Sequence, residues 1–222
     1  MGLPVLIEGE SGSGKSRSLK NFKPGEISIF NVAGKPLPFK NNGLATLSVA
    51  KLVKANKGKS RYDVIKAAMF QSKSKAFAID DSQYLMAFDS FDKAKELGYG
   101  KFTDMAVSFE RLIEFVINDL PSDVIVYFLH HVELTDGGKY KAKTIGKMLD
   151  NQLTVEGLFS IVLFCTADEN HHYFITQSRG ISTAKSPEDM FADEIENDLK
   201  FVDTKIREYW GLTQNDIESE EK

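Results

Sequence analysis

Residues Gly9-Glu10-Ser11-Gly12-Ser13-Gly14-Lys15-Ser16 fill the pattern G-x-x-x-x-G-K-[ST] completely. Each residue type in it has a task with a nucleoside triphosphate. Gly9, Gly12 and Gly14 let the backbone curl so that its N–H groups point inward at phosphate oxygens. Lys15 reaches the β- and γ-phosphates, and the Ser16 hydroxyl is placed to ligate Mg²⁺. Glu10, Ser11, Ser13 and Arg17 complete the nucleotide-binding set. Such a loop needs a carboxylate on a neighbouring strand to hold the Mg²⁺ water shell. The apolar run Ala76-Phe77-Ala78-Ile79 ends in Asp80-Asp81 and supplies one. Asp80 is the carboxylate on the Mg²⁺ side; Asp81 stands where a water-activating acid acts.

A third candidate group closes the run Val124-Ile125-Val126-Tyr127-Phe128-Leu129, which ends in His130-His131-Val132-Glu133. In P-loop ATPases with an added central strand, the polar end of that strand senses the γ-phosphate, so either His130 or His131 is placed for the role. A zinc site is a poor reading, because adjacent strand residues point to opposite faces, and His171-His172 shares the defect. Lysines gather at Lys139, Lys141, Lys143 and Lys147, around Tyr140 and a Gly-Gly turn. Such a loop can track a nucleic-acid backbone while the aromatic stacks on a base, or it can be a solvated face. Arg179 and Lys185 are candidates for a charge supplied to a neighbouring subunit's nucleotide.

The elements that must position these groups are legible as apolar runs. Five read as buried strands: Pro4 to Glu8, Glu26 to Asn31, Lys75 to Asp80, Val124 to His130, and Phe159 to Thr166. A sixth, antiparallel one is expected at His172 to Thr176. Ser60 caps a helix through Phe70. Thr103 to Leu120 is an amphipathic helix stopped by Pro121, and Leu199 to Trp210 is a closing helix. Ser16 to Lys20 can open a helix behind the phosphate loop, and Thr144 to Asn151 another. Strands alternating with helices predict an α/β fold, an open and mainly parallel sheet with helices on both faces and an antiparallel C-terminal extension. The 222 residues fit one domain over 1–212 and an acidic tail at 213–222.

Composition narrows the class. The net charge of −4 excludes a polycationic coat for nucleic acid and leaves room for a local basic groove. The single cysteine, Cys165, lies in an apolar run and suits packing in a reducing compartment. No apolar run nears the ~20 residues of a membrane span, and the chain enters its first strand without a signal peptide, so a cytoplasmic location is expected. No Asn-Lys-x-Asp guanine signature occurs, which makes ATP with Mg²⁺ the expected ligand. The few, scattered arginines disfavour a nucleotide kinase. Too few residues follow the fifth strand for the helical lid of an AAA+ machine, so a RecA-like core is the better reading.

At the level of longer blocks, the chain resembles the short phage-encoded RecA-like ATPases associated with single-strand annealing recombination. The resemblance runs through Gly9 to Ser16, Ala78 to Asp81, His130 to Glu133, Lys143 to Asp150, Thr154 to Phe159, Ala184 to Pro187 and Asn197 to Lys200. It implies a RecA-type ATPase core that binds single-stranded DNA and works beside a single-strand-binding protein in phage recombination or replication, in the host-cell cytoplasm. Catalytic groups in trans would make it a homo-oligomer. Unlike bacterial recombinases, the second strand ends in Ile29-Phe30-Asn31 without a water-activating glutamate, which leaves Asp81 as the base and implies weak, DNA-stimulated turnover. With the loop so early in the chain, no polymerisation arm is expected before the core. The alternative from a different class is a nucleotide-switched accessory or helicase-loading factor that acts through a protein partner.

Overall fold

Leu3–Gly9 (β1) is apolar on both faces, and the structure surrounds it accordingly. The structure is a computed structural model and describes residues 1–98, 100–145, 154–169 and 171–212. β1 pairs in parallel with Ile125–Leu134 (β5) on one side and Ile161–Ala167 (β7) on the other. Pro4 is tolerated in this central strand because pairing with β7 begins only at Val5. Leu3 donates its N–H to Val124 on the β5 side, so the missing Pro4 donor points to the side not yet paired.

Beyond β5 lie Ala76–Asp80 (β4), Ser28–Asn31 (β2) and Ala45–Ser48 (β3), all parallel. Beyond β7, His172–Ile175 (β8) and Glu194–Glu196 (β9) run antiparallel. Tyr140–Ala142 (β6) folds back on β5 as a hairpin. Eight strands follow the order β3-β2-β4-β5-β1-β7-β8-β9, with one strand between β1 and β4, and β6 is the ninth, off that path beside β5. The α/β class, the mainly parallel sheet and the antiparallel extension are those the sequence predicts.

Alternation along the strands sends side chains to two cores. Leu6, Phe128 and Val162 face one, against Phe109, Leu112, Ile113 and Val116 of Gly100–Asp119 (α4). Arg61–Gln71 (α2) and Gln83–Asp92 (α3) cover the same face, and Val49–Ala55 (α1) packs on α2. Val5, Ile7 and Leu129 face the other core, against Val202 and Ile206 of Leu199–Trp210 (α5) and Leu19 of a short 3₁₀ helix. That 3₁₀ helix, Ser16–Asn21, is all that follows the phosphate loop, where the sequence predicts an opening helix. The helix expected at Thr144 to Asn151 falls mostly on residues 146–153, which lie outside the described residues, as does the tail at 213–222. No helix among the described residues is long and apolar enough to cross a membrane.

Local chemistry sets the helix ends. Ser60 and Asp63 form a reciprocal capping box on α2. Asp198 caps α5 by accepting from the N–H groups of Lys200 and Phe201, and the left-handed Gly211 ends it. At the amino-end edge of the sheet, Arg207 stitches α5 down. Its guanidinium donates to the carbonyls of Asp123 and Lys75 and to the Asp203 carboxylate, each at 2.8 Å. Asp203 in turn accepts from the buried Tyr127 hydroxyl at 3.0 Å. Arg207→Ala leaves a buried carboxylate without its cation and should cost about 3 kcal/mol, read as a lowered urea midpoint at unchanged slope.

Candidate functional site

Parallel pairing brings the carboxyl ends of β1, β4 and β5 to one edge, and the loop after β1 crowns it. Two glycines there are demanded by geometry. A Cβ on Gly9 would lie 2.4 Å from the Cys165 carbonyl of β7. Gly14 has φ of +106, and a Cβ there would meet the His172 ring at 2.8 Å. His172 Nδ1 in turn hydrogen-bonds the Ser13 carbonyl at 2.8 Å, so β8 clamps the loop from outside. The Cys165 thiol donates to the same carbonyl at 3.2 Å and accepts from Asn197, and burial pushes it up to about 11.

Lys15 is buried under the loop, its Nζ donating to the carbonyls of Gly9 and Glu10 at 2.8 Å each. Burial lowers its pKa to about 8. The Ser16 hydroxyl donates to Asp80 Oδ1 at 2.6 Å, and burial raises the Asp80 carboxyl above its usual range despite that bond. Asp81 adopts a left-handed φ of 61, which turns its carboxylate toward the cavity rather than along the strand. Its Oδ2 lies 2.6 Å from Lys35 Nζ, and its Oδ1 bonds His131 Nε2 at 3.1 Å. Burial would raise this acid, yet the two hydrogen bonds and the Lys35 charge hold it at about 2. These groups line one cavity of about 310 Å³, into which Arg17 and His172 also face. A second cavity of about 380 Å³ shares Arg17 and His172 with it and extends to Asn21 and Asn197.

The structure separates the two β5 histidines. His131 faces the cavity. His130 is fully buried on the other face, in register with Glu8. Its Nε2–H donates to the Lys143 carbonyl at 2.9 Å and its Nδ1 accepts from the Ser82 hydroxyl at 2.9 Å, the neutral tautomer; burial lowers its pKa to about 4. His130 therefore ties the basic hairpin to the residue after Asp81 and does not line the cavity. Within that hairpin Lys139 and Lys143 are exposed, and Lys141 pairs with Glu133 at 3.1 Å. Tyr140 packs its ring on Phe164 at 5.3 Å, and the nearby Glu10 carboxylate of the phosphate loop raises the pKa of its hydroxyl. Lys147 lies outside the described residues. Arg179 is held by Asp193 at 2.8 Å and Glu194 at 3.6 Å, and neither it nor Lys185 lines the cavity.

Sequence reasoning misses Lys35 and His172. The prolines of Gly34-Lys35-Pro36-Leu37-Pro38 are a signal for a stiff backbone around Lys35, whereas nothing in the sequence places His172 on the loop.

No protein-family model matches the chain, and no curated protein matches it. Among solved structures it is similar to the flagellar accessory protein FlaH from Methanocaldococcus jannaschii, at 13% identity, TM-score 0.41, covering 87% of this chain and 83% of that one. The fold stands on its own strand order rather than on that likeness.

Beneath the loop, on the face opposite Lys15, Glu8 is fully buried. Its Oε1 accepts from the Thr183 hydroxyl at 2.6 Å, and Oε2 has no partner. Burial pushes Glu8 up to about 7; the Thr183 bond opposes this and the neighbouring Glu156 carboxylate adds to it. Glu156 accepts from the Ala142 N–H at 2.7 Å, which joins the pair to the hairpin.

Two titrations follow. The raised Glu8 pKa contributes stability present below its unfolded value of 4.5 and lost as pH rises through about 7. Glu8→Gln should flatten that slope and gain about 3 kcal/mol at about pH 8, measured by urea unfolding across pH. A phosphate ligand recharges Lys15, so above its value of about 8 binding takes up a proton and affinity falls with pH. Calorimetry of triphosphate binding in buffers of different ionisation enthalpy reads that proton directly.

Proposed function

We propose that the protein binds and hydrolyses ATP in the manner of RecA-like proteins and couples nucleotide state to single-stranded DNA held by the β5–β6 hairpin. The observation that carries the nucleotide half is the 2.6 Å contact between Ser16 and Asp80 beside Lys15. A loop hydroxyl and a strand-end carboxylate make a hard oxygen pair suited to Mg²⁺, which would neutralise phosphate charge when bound. Lys15, drawn from the loop carbonyls, contacts the β- and γ-phosphates, and the loop N–H groups receive the oxygens. The second cavity, which shares Arg17 and His172 with the first, takes the nucleoside. Asp81 and His131 orient the attacking water opposite the terminal phosphate.

Support for coupling comes from non-covalent contacts between the loop, the strand beneath it and the hairpin. Tyr140 lies within reach of the Glu10 charge in the loop, and Glu156 accepts from the Ala142 N–H in the hairpin while sharing the Thr183 hydroxyl with Glu8. A shift of the loop on filling is therefore passed to a strand flanked by Lys139, Lys141 and Lys143. In this reading the protein works in phage DNA recombination or replication, beside a single-strand-binding protein in the host cytoplasm.

A second reading, a nucleotide-switched factor acting on a protein partner, is favoured by aromatic side chains exposed on α5. Phe201, Tyr209 and Trp210 are 41%, 46% and 38% exposed. Gel filtration with ATP and a replicative helicase or single-strand-binding protein, without DNA, separates the readings.

ATP hydrolysis is expected to rise with single-stranded DNA and to drop about 10²-fold or more in Lys15→Ala. Neutralising Lys139, Lys141 and Lys143 together should reduce the log–log salt slope of DNA binding by about 2. Wild-type DNA binding by that triple variant removes the hairpin from the interface.

A further inference from the structure

The connection between β2 and β3 delivers a second lysine to the cavity of Lys15. Asn31 ends β2 in register with Asp80. Its side-chain amide donates to the Lys35 carbonyl at 2.6 Å and its Oδ1 accepts from the Gly34 N–H at 2.7 Å, closing a turn. Pro36 and Pro38 follow and line the same cavity, so the backbone on both sides of Lys35 is fixed. The ammonium itself is not fixed. Its side chain is 61% exposed, and it is ion-paired to Asp81 at the cavity edge, with the Tyr84 ring 5.5 Å away.

We propose that Lys35 is a phosphate ligand supplied in cis: it neutralises Asp81 in the free protein and crosses to the terminal phosphate when a nucleoside triphosphate enters. The inference deepens the nucleotide reading and rests on it. Three cations, Lys15, Arg17 and Lys35, face two carboxylates, Asp80 and Asp81, across the cavity. A dianionic phosphate oxygen cluster is a stronger partner for a mobile ammonium than one carboxylate already bonded to His131. Departure of Lys35 leaves Asp81 with His131 as its partner, so the acid faces the terminal phosphate without the lysine across it. A diphosphate lacks the γ-phosphate that draws Lys35 away and leaves the Asp81 pair intact. Lys35 thus supplies from within the chain the charge that Arg179, bound to Asp193 and Glu194, does not bring to its own cavity.

Equilibrium binding of ADP and of a non-hydrolysable ATP analogue to the wild type, Lys35→Gln, Lys35→Arg and Lys15→Ala tests this. Lys35→Gln should lose about tenfold in affinity for the analogue and less than about twofold for ADP, with Lys35→Arg recovering most of the loss. Because the side chain is exposed, thermal unfolding of the Gln variant should match wild type. An unchanged analogue-to-ADP ratio in Lys35→Gln, with Lys15→Ala still abolishing binding, overturns the inference and leaves the nucleotide reading standing. Failure of the wild type to bind either nucleotide overturns both.

Discussion

Parallel pairing of β1 with both β5 and β7 is the constraint on which the rest of the molecule depends. It fixes where β1 ends relative to its neighbours: Glu8 beside His130, Gly9 beside His131, and the loop above the Cys165 carbonyl. From that register come the crowding that only glycine tolerates at position 9 and the cavity above it. Had β5 slipped by one residue, His130 would face the cavity and His131 the apolar core, because strand side chains alternate. The chemistry therefore depends on hydrogen bonds laid down several residues away from it.

Around the loop the protein keeps charge in a deliberately unbalanced state. Lys15 is buried against carbonyls, Asp81 is over-satisfied by two partners, and Glu8 is buried with an oxygen unpaired. Burying Lys15 and Glu8 costs free energy, whereas the Asp81 pairs stabilise the folded state; the cost is offset by the two apolar cores and the Arg207 stitch. The polar groups on the two faces of the sheet are also kept apart. On one face they meet the cavity; on the other, Glu8, His130 and Glu156 connect strands to the hairpin. The sheet edge is thus the point at which a change on one face is felt on the other.

Much of this was legible in the sequence because it rests on local pattern. The loop motif, the Ala-Phe-Ala-Ile-Asp-Asp strand, the α4 stripe and the Ser60 cap each declare themselves within a few residues. The inserted strand between β1 and β4 was foreshadowed by the polar end of β5. What was not legible depends on tertiary approach. That His131 rather than His130 lines the cavity is a matter of register. That Lys35 meets Asp81 depends on a turn clamped by Asn31 and on the pairing of β2 with β4. The truncated 3₁₀ helix after the loop reflects packing of Leu19 against α5, which overrides the helical propensity of Ser16 to Lys20.

Cys165 lies sealed beneath the phosphate loop, its sulfur against the Ser13 carbonyl and its thiol held protonated by burial. It is the chain's one cysteine. Alkylating reagents attack a thiolate, and this one is exposed to them only when the loop lifts from β7. The unaltered sequence therefore carries its own reporter of loop opening. Labels placed on engineered surface cysteines would meet no competing site while the loop stays closed.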